Sequence, residues 1–163
     1  MSVYERSFKV KASLHEVAVF HDDPVSLIAI TPPPVRVTIE RFDRPVRAGS
    51  HVIFRLSVGP IGVRWDGVIA EYVDQKYFRD VQSKGPFGAW SHTHSFAVEA
   101  DGTHVIDRVE YEPPLGLIGK LIDPILVRPS LAFLFNYRKK KTREHLERNA
   151  VNREVSGRSS SVV

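Results

Sequence analysis

Polar and apolar residues alternate with period two along most of the chain from Val3 to Glu112, and a continuous apolar run follows, so a sheet followed by a helix is expected. Val3 to Val10 sets Tyr4, Arg6, Phe8 and Val10 against Val3, Glu5, Ser7 and Lys9, as a first strand would. Ser13 has the chemistry of a helix N-cap, and Glu16 completes a capping box ahead of Val17, Ala18 and Phe20. A short helix to about Asp22 follows, then a second helical piece from Pro24 to Ile30. Thr31-Pro32-Pro33-Pro34 ends it, because prolines remove donors and restrict the residue before them. Val35, Val37 and Ile39, then Val52, Phe54, Leu56 and Val58, form a hairpin turning near Arg47 to Ser50. Gly62–Asp74, Lys76–Ser83, Ala89–Ala100 and Thr103–Glu112 bring the sheet to about seven antiparallel strands.

The last three strands carry a register. Asp101-Gly102 is a hairpin signal that sets Ala100 opposite Thr103, Phe96 opposite Asp107 and His92 opposite Tyr111. The loop Lys84 to Gly88 sets Asp80 opposite His92 and Phe78 opposite His94. One face then holds Phe78, Asp80, Gln82, Trp90, His92, His94, Phe96, Val98, Val105, Asp107, Val109 and Tyr111. The other holds Arg79, Thr93, His104, Arg108 and Glu110 among others, which suits solvent, so the aromatic face is expected to be the inner one.

After Pro113-Pro114-Leu115-Gly116 the pattern is helical. Leu121, Ile122, Ile125, Leu126, Leu131, Phe133, Leu134, Phe135 and Tyr137 are expected inward or nearly so. Pro124 and Pro129 place the start of regular helix near Pro129, after a looser turn, and its end near Asn149. Residues 1–149 are therefore expected to be one α+β domain, and 150–163 a flexible tail whose Ser-rich end frays.

Composition narrows the function classes. The 163 residues include no cysteine, so no disulfide framework exists. Met1 to Arg6 has no signal-peptide core, and Leu115 to Tyr137 is too interrupted by charge and proline to span a bilayer; a soluble cytoplasmic protein is expected. The net charge of +4 comes from one run, Arg138 to Arg148, while the remaining 17 basic and 17 acidic residues balance. No distributed positive face is available, so nucleic acid is not an expected partner. Arg138, Lys139, Lys140 and Lys141 most simply form a solvated helix end, with transient contact to an anionic membrane as the functional alternative. Gly59-Pro60-Ile61-Gly62 lacks the spacing and lysine of a phosphate loop and reads as a turn, and Trp65 and Trp90 read first as core.

Several strings carry a resemblance: Phe20-His21-Asp22-Asp23-Pro24 with Thr31-Pro32-Pro33, Phe78 to Phe87, Trp90 to Phe96, Asp107-Arg108-Val109-Glu110-Tyr111, Pro114-Leu115-Gly116 and Phe135-Asn136-Tyr137-Arg138. Together with the order strand, two short helices, six strands and a long helix, they resemble the SRPBCC superfamily, the START-like and polyketide cyclase/dehydrase-like proteins. The likeness spans residues 1 to about 148 and leans toward a bacterial branch sometimes labelled cell-division-inhibitor-like. It implies the helix-grip fold, with a deep, largely apolar cavity between sheet and last helix, used by different members for lipid carriage, hormone sensing or ring-closing chemistry.

Asp80, Gln82, His92, His94 and Asp107 fall on the face that looks into such a cavity, where an unpartnered polar group costs a few kcal/mol. Three readings are open: a satisfied internal network, recognition of a ligand's polar group, or chemistry. Chemistry would mean acid–base work by His92 or His94 with Asp80 or Asp107, or metal binding. His-x-His has no defined third and fourth ligand in the sequence, so no metal ligand and no cofactor is assigned. The preferred reading is a binding protein for a small hydrophobic or amphipathic ligand. Phe78, Asp80, Gln82, Trp90, His92, His94, Phe96, Asp107, Val109, Tyr111, Leu126, Phe133, Leu134 and Tyr137 are its expected contacts, with Leu115 to Leu126 at the entrance. A cyclase/dehydrase-type enzyme and a protein-interaction module are the alternatives.

Overall fold

In the computed structural model, residues 1–159 are described, with side chains to Arg148. Seven strands, β1 (Ser2–Val10), β2 (Arg36–Phe42), β3 (His51–Val58), β4 (Ile61–Val73), β5 (Tyr77–Lys84), β6 (Ala89–Glu99) and β7 (Gly102–Glu112), form one antiparallel sheet in the order β1-β7-β6-β5-β4-β3-β2. Between β1 and β2 lie α1 (Leu14–His21) and α2 (Pro24–Ala29). Ser13 caps α1 through the expected box: its hydroxyl accepts from the Glu16 backbone N–H, and the Glu16 carboxylate accepts from the Ser13 backbone N–H at 2.8 Å. Asp23 caps α2, accepting from the Val25 N–H at 3.1 Å ahead of Pro24 in the first turn.

Register irregularities at Ile39/Arg41, Asp66/Gly67 and Ile69/Glu71 bend β2 and β4, so the sheet curls rather than lying flat. The concave side holds two apolar clusters. Phe8, Val10, Val17, Phe20, Phe78, Phe96 and Val105 belong to one; Tyr4, Trp65, Trp90, Val109, Tyr111, Leu131 and Phe135 belong to the other. Alternation therefore placed the sheet face correctly: Trp90, His92 and Phe96 are all buried on the concave side, and Val105, Val109 and Tyr111 have no residual exposure.

The register between β6 and β7 differs from the expected one by two residues. Glu99 pairs with Gly102, so His94 sits opposite Asp107, Trp90 opposite Tyr111 and Phe96 opposite Val105. The turn is Ala100-Asp101, and Gly102 is already the first residue of β7. Its φ of +141° and the 2.2 Å that would separate a Cβ from the Val10 carbonyl oxygen make glycine the residue this pairing requires. A two-residue shift leaves every side chain on its face but moves Asp107 from Phe96 to His94. Between β5 and β6 the pairs Asp80/His92 and Phe78/His94 are as expected.

The C-terminal segment departs further from expectation. An α-helix, α3 (Gly116–Ile122), precedes a π-helical turn (Asp123–Val127), and α4 runs Arg128–Ser159, past the expected end at Asn149. Part of the expected tail is thus helical backbone; residues 160–163 lie outside the described residues. In α4 the stripe Leu131, Phe135, Thr142 and Leu146 is buried with spacings of four, seven and four, as one helix face requires. Phe133 stands on the opposite face and is 62% exposed; Leu121, Ile125 and Leu126 are also solvent-exposed. The inward expectation for these four fails because a helix apolar all round can turn only one stripe to the sheet. Asp123 anchors the turn, accepting from the hydroxyls of Tyr111 (2.7 Å) and Ser2 (2.8 Å). Among the described residues no helix is long and apolar enough to cross a membrane.

Candidate functional site

Between the concave sheet and α4 lies a cavity of about 370 Å³, with α1, α2 and the β2–β4 end of the sheet completing its wall. Most of that wall is apolar: Ile69 and Phe78 from the sheet, Trp65 stacked on Phe54 with centroids 5.8 Å apart, and Leu131 and Leu134 from α4. Asp80, His92, His94 and Arg138 face the space, and α1, α2 and their junction add His21, Asp22, Asp23 and Ser26 to its lining.

The sheet groups reach the site for local reasons. Asp80 and His92 are direct cross-strand partners, His94 is two residues along β6 and so points the same way, and Asp107 is brought opposite His94 by the Gly102-anchored register. The two imidazoles lie side by side with centroids 3.8 Å apart and planes tilted by 48°, between two carboxylates. On the cavity side, Asp80 Oδ2 is 3.6 Å from His92 Nδ1 and 3.9 Å from His94 Nε2. Behind them, Asp107 Oδ1 is 2.7 Å from His94 Nδ1 and 3.4 Å from His92 Nε2. Those last approaches are close but off the line of a hydrogen bond: His92 Nε2, His94 Nδ1 and Asp107 Oδ1 are buried and left without an aligned partner.

Burial governs the electrostatics. It pushes the Asp80 carboxyl up to about 6, against the pull of His94 and Arg138. Burial also lowers both His92 and His94 below the ordinary imidazole value, so both rings are neutral at neutral pH. Burial opposes ionisation of Asp107 too, but its contacts with His92 and His94 outweigh that, holding it well below the usual carboxylate range. His21, whose Nδ1 lies 2.8 Å from the Val17 carbonyl oxygen, is lowered to about 4 by burial and then by His94. Burial thus holds Asp80, His92, His94 and His21 away from their ordinary pKa values on one cavity wall, a pattern shared by functional clusters and structural networks.

Of the contacts expected from sequence, Phe78, Asp80, Trp90, His92, His94 and Leu134 line the cavity. The others lie elsewhere. Gln82 turns back to its own loop, donating to the Phe87 carbonyl oxygen at 2.8 Å; Phe96, Val109 and Tyr111 are core; Asp107 stands behind the histidines. Leu126 and Phe133 are exposed on the far side of the last helical segment, and Tyr137 lies beside Lys141, 5.8 Å from ring centroid to Nζ.

The basic run also divides. Arg138 is not available to a membrane, because its guanidinium faces inward between α4 and the sheet, 5.2 Å from the Phe135 ring. Lys141 donates to Glu144 at 2.7 Å, while Lys139 and Lys140 line an outer groove with Arg6, Arg143, Glu144 and Glu147. Sequence reading missed Arg138 and His21 as inner groups. Spacing held the signal for Arg138: it is seven residues from Leu131 and three from Phe135, on the buried stripe, and the surrounding lysines masked it.

No family model and no curated protein matches the chain. Solved structures do. A protein of Chromobacterium violaceum superposes with a TM-score of 0.72 at 16% identity, covering 90% of this chain and 99% of that one. The di-domain ARO/CYC StfQ from the steffimycin biosynthetic pathway gives 0.71 at 11% identity, over 91% of this chain and 51% of its own. Major latex-like protein 151 from Panax ginseng gives 0.66 at 15% identity, over 89% and 97%. At these identities the shared property is the fold, and the chain has the helix-grip fold: seven antiparallel strands gripping a long C-terminal helix, with two short helices after the first strand.

Proposed function

We propose that this chain binds a small, mostly apolar, ring-bearing molecule in the cavity between sheet and α4, with the ligand's one polar group held at Asp80, His92, His94 and Arg138. The carrying observation is the make-up of the wall: aromatic and aliphatic side chains surround most of the space, and Asp80, His92 and His94, neighbours on β5 and β6, place a polar group within it. A volume of about 370 Å³ lies within the range of small-molecule sites. This reading agrees with the sequence resemblance to the SRPBCC superfamily and with a neighbour whose description places it in a biosynthetic pathway.

Trp65 and Trp90 on the wall provide the readout. Titration with 1-anilinonaphthalene-8-sulfonate, an anionic aromatic probe, is expected to quench tryptophan emission with one-to-one stoichiometry, and Leu134→Trp, which fills the cavity, to weaken uptake at least tenfold. Folded protein that takes up no probe, or takes it up equally with Leu134→Trp, refutes the reading.

A second reading, acid–base catalysis on the bound molecule, is favoured by the presence of Asp80, His92 and His94 on the cavity wall rather than behind it. Here the compound extracted from cells with His94→Gln differs in mass from that carried by the unaltered protein, as precursor from product. Identical compounds leave binding alone.

A further inference from the structure

The polar end of the cavity contains acceptors that face one another with no donor between them. Asp107 accepts and cannot donate while ionised, and it lies against one nitrogen of each imidazole, Nε2 of His92 and Nδ1 of His94. Its charge favours the tautomers that place hydrogen on those two nitrogens, although neither N–H lies on the line to Oδ1. The nitrogens left as lone pairs, Nδ1 of His92 and Nε2 of His94, converge on the carboxylate of Asp80. Two lone pairs and a carboxylate oxygen directed at one point call for a cation there.

We propose that Asp80, His92 and His94 form a three-ligand site for a divalent first-row transition-metal ion, open to the cavity at its remaining positions. One ligand atom from each residue lies within 4.8 Å of the other two. Bonds of about 2.0–2.2 Å to nitrogen and oxygen require ligand atoms roughly 3–3.5 Å apart, so the 3.6 and 3.9 Å separations need to close by a few tenths of an ångström, and the widest, 4.8 Å, by roughly 1.3 Å through rotation of the two rings. The groups behind the site are fixed in place by burial: His92 is 3% exposed and Asp107 5%, and their facing atoms Nε2 and Oδ1, which lie behind the proposed ligand atoms, lack an aligned partner.

Two imidazoles with one carboxylate suit zinc, iron or cobalt better than magnesium or calcium, which prefer oxygen alone. Asp80 and Asp107 with the Arg138 guanidinium sum to −1, so a bound dication leaves the cluster at +1. Arg138 faces them from α4 without an ion pair among the described residues, and His21 stands beside His94. The positive charge of Arg138 then favours an anionic oxygen on whatever molecule completes the coordination. The ion has a direct route in, because Asp80, His92 and His94 all line the cavity.

The test uses the metal alone, so it stands apart from the ligand-binding reading: a chain that takes up the anilinonaphthalene probe but no metal overturns only the present inference. Chelator-treated protein is titrated with Co²⁺ and followed by visible d–d absorption and calorimetry. One equivalent is expected to bind, with Asp80→Asn and His94→Gln each weakening it by more than about 100-fold. Asp107→Asn, a positioning change, is expected to weaken it roughly 10–100-fold. Tryptophan near-ultraviolet dichroism confirms that each variant is folded, and Asp80→Asn, on the cavity surface, is the variant least able to disturb packing. Folded wild-type protein that binds no stoichiometric Co²⁺ overturns the proposal. So does one-equivalent binding that persists unchanged in Asp80→Asn and His94→Gln, since the ion would then sit elsewhere.

Discussion

The concave face of β5–β7 and the segment from Leu115 to Phe133 are both rich in apolar residues, yet one is core and the other stands largely in solvent. In a strand, alternate side chains belong to opposite faces whatever the register, and even the two-residue shift between β6 and β7 left the inner face intact. In a helix each residue turns 100° from the last, so a run apolar on all sides specifies no inward stripe. Apolar content alone therefore says little about burial; the periodicity that organises it decides.

Removing side chains from the two regions separates them most strongly. Phe135 is 1% exposed and packs on Tyr4 and His92, so Phe135→Ala is expected to cost about 3–5 kcal/mol in urea unfolding. Phe133→Ala, two residues away, should change stability by less than about 0.5 kcal/mol, as should Leu121→Ala. Comparable losses at Phe133 and Phe135 would mean that the outer face of α4 packs against something, and the contrast would disappear.

Within the concave face, the next largest effect should distinguish architecture from site. Asp107→Asn removes the buried carboxylate shared by two imidazoles and is expected to cost about 1–3 kcal/mol. Asp80→Asn, on the cavity wall with contacts of 3.6 and 3.9 Å, should cost less than about 1 kcal/mol in thermal unfolding while altering binding. Equal costs would make Asp80 part of the same structural network as Asp107.

A separate effect depends on pH. His21 is neutral in the folded chain, with its pKa held at about 4, below the unfolded value near 6.5. A base with a depressed folded pKa contributes stability that is full above about pH 6.5 and declines as pH falls toward 4. With chelator present, His21→Gln should flatten the unfolding free energy across that window by an amount on the order of 3 kcal/mol. An unchanged slope would place His21 in contact with water.

How far the sequence reached follows from the same physics. The succession of elements along the chain, the capping box at Ser13 and the Asp80/His92 pairing rest on local, period-two or fixed-offset signals, and all were readable. Asp107 was read onto the correct face but opposite the wrong partner, because the hairpin turn could begin at Ala100 or at Asp101 and only the packing of Gly102 on the Val10 carbonyl decides. Arg138 was hidden by its lysine neighbours, and the wall supplied by Phe54 and Trp65 required tertiary closure of the sheet that alternation does not encode.

The central claim is that the concave face, not the exposed segment, is the binding surface. A crystal structure of the chain grown with 1-anilinonaphthalene-8-sulfonate tests it directly. If the claim holds, ring density lies between Trp65, Leu134 and Phe78, with the sulfonate toward Arg138 and His92. Density only along Leu117, Leu121 and Ile125, over an unfilled interior, would contradict it.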